Sequence, residues 1–218
     1  MIRERKIARN AGILFLTAMA TSLVGGGMVE SVITAPDYLH QLYYSRTLAS
    51  VGVFLEFLNG FAVIGIVVLL YPVLKRYSQG LALGFAVFRM IEALFCFASA
   101  FFPLILLAYI QEYPAGNPGV ASTVQSLGAH LIAARAQIAG LWIPLFFGLG
   151  ALLFYYILFQ SRLLPRFISV WGIIGVFLIL ILNLLKIESE WVMLLALPII
   201  VNEVFMGIWL IVKGFSVI

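Results

Sequence analysis

Along most of the chain, apolar residues follow one another without the alternation of a half-buried strand, and short polar stretches break the runs. Six runs approach or exceed the ~20 residues that a helix needs to cross hydrocarbon. They cover roughly 11–32, 48–73, 81–103, 137–158, 167–185 and 192–212. Continuous runs predict helices and not a membrane barrel, because barrel strands alternate and only a helix satisfies all its backbone groups within one segment. The expected fold class is all-α: a polytopic membrane protein with six transmembrane helices in one membrane domain over residues 1–218. The outer end of the fourth helix is expected to start near residue 122, outside the membrane. Before it, Pro114, Gly116, Asn117, Pro118 and Gly119 predict a loop from about Gln111 to Ser126.

Composition makes lipid the solvent. Of 218 residues, 64% are hydrophobic and 10% charged, whereas soluble domains carry about one-quarter charged residues. Disorder is excluded by the same figures, and a disulfide scaffold by the single cysteine, Cys96. His40 and His130 are the only histidines, too few for a histidine metal cage, and His40 falls in a connection where a haem ligand is not expected. No cofactor or metal is therefore expected. Residues 1–20 resemble a secretory signal, but the apolar stretch runs on through Gly25, Gly26 and Gly27 to Val32, which favours an uncleaved first helix. Those glycines precede no Gly-Lys-Ser/Thr, so they read as helix-packing residues and not a phosphate loop.

Charge then gives orientation. Nine of the 13 basic residues, among them Arg3, Arg5, Arg9, Lys75, Arg162 and Lys213, fall at the amino end, in the second and fourth connections, or in the tail. The positive-inside rule places both termini in the cytoplasm. This distribution accounts for the net charge of +4 without a nucleic-acid surface, so no nucleic acid is expected as a partner.

Ionisable side chains at membrane depth cost ~2.5–3.5 kcal/mol each on insertion scales, so each must face protein or a wet cavity. Helical spacing aligns Ser22, Gly26 and Glu30 on the first helix, Gly52, Glu56 and Asn59 on the second, and Arg89, Glu92, Cys96 and Ser99 on the third. Arg89 and Glu92, three residues apart, can pair directly. The fourth helix carries Arg135 and Gln137, the fifth Asn183, and the sixth Asn202 and Glu203. Glu30 and Arg135 read as interfacial. Each group has a structural reading beside the functional one. Arg89 with Glu92 can be a neutralising pair, Glu56 and Glu203 can be protonated acids bonded to Asn59 or Asn202, and Cys96 can be a packing residue. Pro103, Pro144 and Pro198 interrupt the third, fourth and sixth helices and free carbonyls there.

Several segments, taken in order, resemble one family. They are Arg9-Asn10-Ala11-Gly12-Ile13-Leu14, Gly80-Leu81-Ala82-Leu83, Phe88-Arg89-Met90-Ile91-Glu92-Ala93, Ser161-Arg162-Leu163-Leu164-Pro165-Arg166 before Trp171-Gly172, and Glu203 ahead of Trp209-Leu210-Ile211-Val212-Lys213-Gly214. Together they look like the bacterial integral membrane family called domain of unknown function 4386. The resemblance covers nearly the whole chain and implies a multi-pass protein of the bacterial inner (plasma) membrane. It transfers no catalytic residue, but it singles out the segments that hold Arg89, Glu92 and Glu203.

By depth, the polar groups fall in the outer half and middle of the membrane, leaving the inner half nearly free of them. The expectation is one internal polar cluster, biased outward, that binds a small hydrophobic or lipid-like molecule. Arg89, Glu92, Asn59, Asn202 and Gln137 are candidate ligand-binding residues, with Glu203 and Glu56 as candidate acids. Desolvation favours the neutral form of a carboxyl, so either acid could donate a proton in an isomerisation, cyclisation or transfer, with ionised Glu92 stabilising positive charge. Two other classes stay open: a proton-coupled small-molecule transporter and a structural or accessory subunit. Membrane lipids are expected partners, and because small six-helix units can dimerise, a homo-oligomer is open.

Overall fold

The structure, a computed structural model, describes residues 2–110, 118–185 and 191–216. Among these residues every regular element is helical: α1 (Ile2–Ile33), α2 (Tyr38–Tyr44), α3 (Arg46–Leu74), α4 (Gln79–Tyr109), α5 (Pro118–Gln137), α6 (Ile143–Ser161), α7 (Arg166–Leu184) and α8 (Trp191–Val212). A π-helical segment, Ile138–Trp142, joins α5 to α6. Among the described residues six runs are long and apolar enough to cross a membrane: Glu4–Ile33, Arg46–Leu74, Gln79–Tyr109, Gln125–Ser161, Arg166–Leu184 and Leu194–Val212. Six spans in one all-helical unit agree with the expected fold class.

The bounds differ from the apolar pattern in four places. The first helix starts at Ile2, because its polar amino end still buries Ala8 against the bundle. Between the first two spans lies α2, whose Leu39 and Leu42 are buried; a helix this short is invisible to a search for long apolar runs. α4 continues through Pro103 to Tyr109, as membrane helices allow when neighbours compensate for the missing donor. α5, which leads into the fourth run, starts at Pro118, inside the expected loop, since proline suits the first helical turn, where no N–H is needed. The rest of that expected loop, residues 111–117, lies outside the described residues, as does Lys186.

The spans close into a ring in chain order. α1 packs on α3, α3 on α4, α4 on α6, α6 on α7, α7 on α8, and α8 back on α1. Glycine decides two of the crossings. A Cβ on Gly12 would stand 2.5 Å from the Gly207 carbonyl oxygen, and one on Gly25 would stand 2.9 Å from that of Gly52, so only glycine permits these backbones to approach so closely. Of the three consecutive glycines, Gly25 alone packs; Gly26 and Gly27 would meet nothing within 4 Å. Both ends of the chain meet on one face of the bundle, where Arg5 Nη2 donates to Val212 O at 2.8 Å and Nη1 to Lys213 O at 3.3 Å. These carbonyls end α8 and would otherwise lack donors.

Toward this terminal face the ring is filled. Phe154 of α6 stacks on Phe15 of α1 and Phe85 of α4, with centroids 5.8 and 5.4 Å apart. Beside it, the Tyr155 hydroxyl donates to Asn202 Oδ1 at 2.7 Å, and Asn202 Nδ2 donates to Ile168 O at 2.9 Å. Aromatic rings and one satisfied polar chain thus plug the terminal half. In the distal half the apolar core is confined to one side, where Val29, Val32, Leu42, Val53 and Leu106 pack together under Leu131 and Ile132 of α5.

Candidate functional site

The polar groups of the membrane interior form two separate assemblies, not the single cluster expected from their depth. The first is centred on Arg135, which is 3% exposed. Its guanidinium binds across three other helices: Nε donates to Glu30 Oε1 at 3.0 Å, Nη1 to Glu56 Oε2 at 2.9 Å, and Nη2 to Glu56 Oε1 at 2.5 Å. Nη1 also reaches the Ser99 carbonyl at 2.9 Å and its hydroxyl at 3.1 Å. The planar fork of arginine matches both oxygens of a carboxylate, a geometry that an ammonium cannot reproduce. Glu56 is therefore held in an ion pair, away from the chamber described next. Glu30, by contrast, is 46% exposed at the side chain. The sequence carried a signal for this: Arg135 has no carboxylate within one turn of its own helix, and neither Glu30 nor Glu56 has a base.

The second assembly lines a chamber of about 770 Å³ to which all six spans contribute. Its polar lining includes Ser22, Asn59, Arg89, Glu92, Gln137 and Glu203; its apolar walls include Met19, Val63, Phe147, Leu182, Ile199 and Ile200. Each side chain has a local cause. The aliphatic stem of Arg89 lies on Gly150, where a Cβ would be 3.1 Å from its Cγ and Cδ, and its guanidinium stands 5.3 Å from the Phe147 ring centroid. Arg89 Nη1 lies 2.9 Å from Glu92 Oε2, the i,i+3 pair that helical spacing predicts. The angles do not make this a hydrogen bond, so Glu92 Oε2 and Arg89 Nε are both buried without hydrogen-bond partners. Glu203 enters from α8, one residue after Asn202, and makes no ion pair among the described residues.

Two expected pairings are replaced. Asn59 Nδ2 faces Cys96 Sγ at 3.6 Å and not a glutamate. Asn202 is fully buried in its bonds to Tyr155 and Ile168, outside the chamber, because the helical step from Glu203 turns it toward α6 and α7.

Asn183, in contrast, lines the chamber and was not among the expected site residues. Its Nδ2 donates to the Gly140 carbonyl. That oxygen lies four residues before Pro144, which has no N–H to offer it. Proline thus explains both the π-helical widening of this span and the role of Asn183. His40 and His130 are both exposed; His40 tilts against Tyr44, and a His130 ring nitrogen lies 2.7 Å from the Ser126 carbonyl. Among the described residues no group of three or more His, Cys, Asp or Glu side chains is arranged to hold a metal.

The chamber ends at the aromatic plug on the terminal side. Several lining residues are exposed, Leu23 on α1 at 54% and Ala136, Gln137 and Gly140 on the fourth span among them, so the chamber opens to the surface of the bundle, on the α1 side at Leu23. α1 and α8 are locked together at Gly12 and Gly207, closer to the terminal face than the residues that line the chamber.

The family model described as a domain of unknown function (DUF4386) matches residues 10–214, and the chain belongs to that family. No curated protein and no solved structure matches the chain significantly.

Proposed function

We propose that this member of the family is a multi-pass protein of the bacterial plasma membrane that binds a small hydrophobic or amphipathic molecule, lipid or isoprenoid in character, within its intramembrane chamber. The termini are cytoplasmic in this reading, as the basic residues favour, and the chamber occupies the outer half. The carrying observation is the chamber itself: about 770 Å³, in the size range of small-molecule sites, with apolar walls and a few convergent polar groups. The opening at Leu23 supports entry from the lipid phase between α1 and α8.

The plug of Phe15, Phe85 and Phe154 favours a binding chamber over a route through the membrane. If the bound molecule is processed, Glu203 is the candidate acid, because both oxygens of Glu56 are already bound by Arg135. Arg89 and Glu92 would then position the polar end of the ligand, with Asn59 and Gln137 on the adjoining wall.

The test is native mass spectrometry of the chain extracted gently from its membrane, beside the variant Ala196→Phe, which fills the chamber from α8. A co-purified amphiphile that is present in the parent and missing from the variant is the expected result. An empty parent chain, after extraction into several mild detergents and supply of lipid extract, would overturn the reading.

A further inference from the structure

With both of its carboxyls ionised, the chamber holds more negative than positive charge. Glu92 and Glu203 bring two carboxyl groups, Arg89 brings one guanidinium, and among the described residues no second cationic side chain is part of the lining. Arg135, the other buried base nearby, is engaged by Glu30 and Glu56. Arg89 cannot serve both acids equally: its stem rests on Gly150 and its head lies over Phe147, which leaves it beside Glu92. Even there Arg89 Nη1, 2.9 Å from Glu92 Oε2, is out of line for a hydrogen bond. Arg89 and Glu92 are 4% and 5% exposed, and Glu92 Oε2 receives no hydrogen bond. A desolvated carboxylate oxygen needs a donor, and an excess negative charge at membrane depth is relieved either by protonation of a carboxyl or by a counter-charge, which an ammonium supplies together with the donor.

We propose that the ligand is an amphipathic primary or secondary amine. The proposal rests on the reading that the chamber binds an amphiphile, and it names that molecule's head group. One ammonium set between Glu203 and Glu92 brings the three side chains and the ligand to zero net charge. Its N–H groups supply the donor that Glu92 Oε2 lacks, which a quaternary ammonium cannot do. The tail lies along Val63, Ile199 and Ile200 and leads toward the opening at Leu23. No bond forms or breaks in this step; the ligand is held.

The experiment titrates the full chain in maltoside micelles with dodecylamine, dodecyltrimethylammonium and dodecanol, and reads one-to-one occupancy by native mass spectrometry. Dodecylamine is expected to bind at least about tenfold more tightly than the other two, the gain typical of a charge-assisted hydrogen bond. Glu203→Gln should remove the preference for amine over alcohol. Equal binding of amine and alcohol to the parent chain overturns the charge assignment and leaves the binding chamber standing. Equal binding of the amine and the quaternary ammonium overturns the hydrogen bond to Glu92. If no probe binds one-to-one, the chamber reading falls as well. The decisive comparison is among probes on the parent chain, so it holds even if Glu203→Gln fails to fold.

Discussion

Arg135 and Glu56, 79 positions apart in the chain, join two nitrogens to two oxygens in the membrane interior. The pair ties α5 to α3, while Glu30 and Ser99 extend the tie to α1 and α4. α5 is thereby held over the apolar distal core, and the space left toward α7 and α8 is the chamber. A buried charge pair adds little stability compared with a well-packed apolar pair, but removing one partner is costly because the other charge remains.

Glu56→Gln should therefore lower stability by ~3–5 kcal/mol, seen as a large drop in the thermal midpoint in detergent. The double variant Glu56→Met with Arg135→Met should recover most of the loss. A single variant as stable as the parent would show that the pair carries no burial cost.

Ring closure gives a sharper contrast between two glycines. Gly12→Leu drives a side chain into the Gly207 carbonyl and should cost ~1–3 kcal/mol or more, as overpacking does. Gly26→Ala, where a Cβ meets nothing within 4 Å, should leave stability unchanged or raise it by up to ~1 kcal/mol. Size-exclusion profiles and unfolding midpoints read both; equal behaviour of the two variants would refute the α1–α8 crossing.

Asn183 and Pro144 should be coupled. In the parent chain Asn183→Ala removes the donor that Gly140 O depends on, at ~0.6–1.7 kcal/mol, the usual range for interhelical hydrogen bonds in membranes. In the Pro144→Ala background residue 144 regains an N–H, and the same substitution should cost measurably less. Additive losses in a double-mutant cycle would mean that proline does not create the need for Asn183.

Neighbours on α8 should separate stability from binding. Asn202→Ala leaves the Tyr155 hydroxyl and the Ile168 carbonyl without partners and should cost ~1–3 kcal/mol while ligand affinity persists. Glu203→Gln should change affinity with a smaller effect on the midpoint. The reverse outcome, in which Asn202→Ala abolishes binding to a folded chain, would move the site to the other face of α8.

How far the site could be read from the sequence depended on the distance between its parts. The Arg89–Glu92 pair was legible because its spacing is one helical turn. The partners of Arg135 were not, since they sit on other helices, although an unmatched base and two unmatched acids at similar depth pointed to them. Depth alone also merged the Arg135 network with the chamber; it carries no information about which side of the ring a residue faces. The fourth helix begins at Pro118, four residues before the expected 122, for a different reason: proline and glycine weaken a helix locally, yet α5 packs on α4 and the Tyr38 hydroxyl of α2 donates to its Gln125 carbonyl.

By itself the chain of residues determined the solvent, the six spans and the all-helical class. Hydrocarbon admits no unpaired backbone, so long apolar runs have only one form there. Tertiary structure decided which charges meet, that Glu56 joins Arg135 while Glu203 faces the chamber, and that aromatic rings close one end of the bundle. Those outcomes follow from helix crossings set by close contacts such as Gly12 on Gly207, and a crossing is a relation between distant segments that no local pattern encodes.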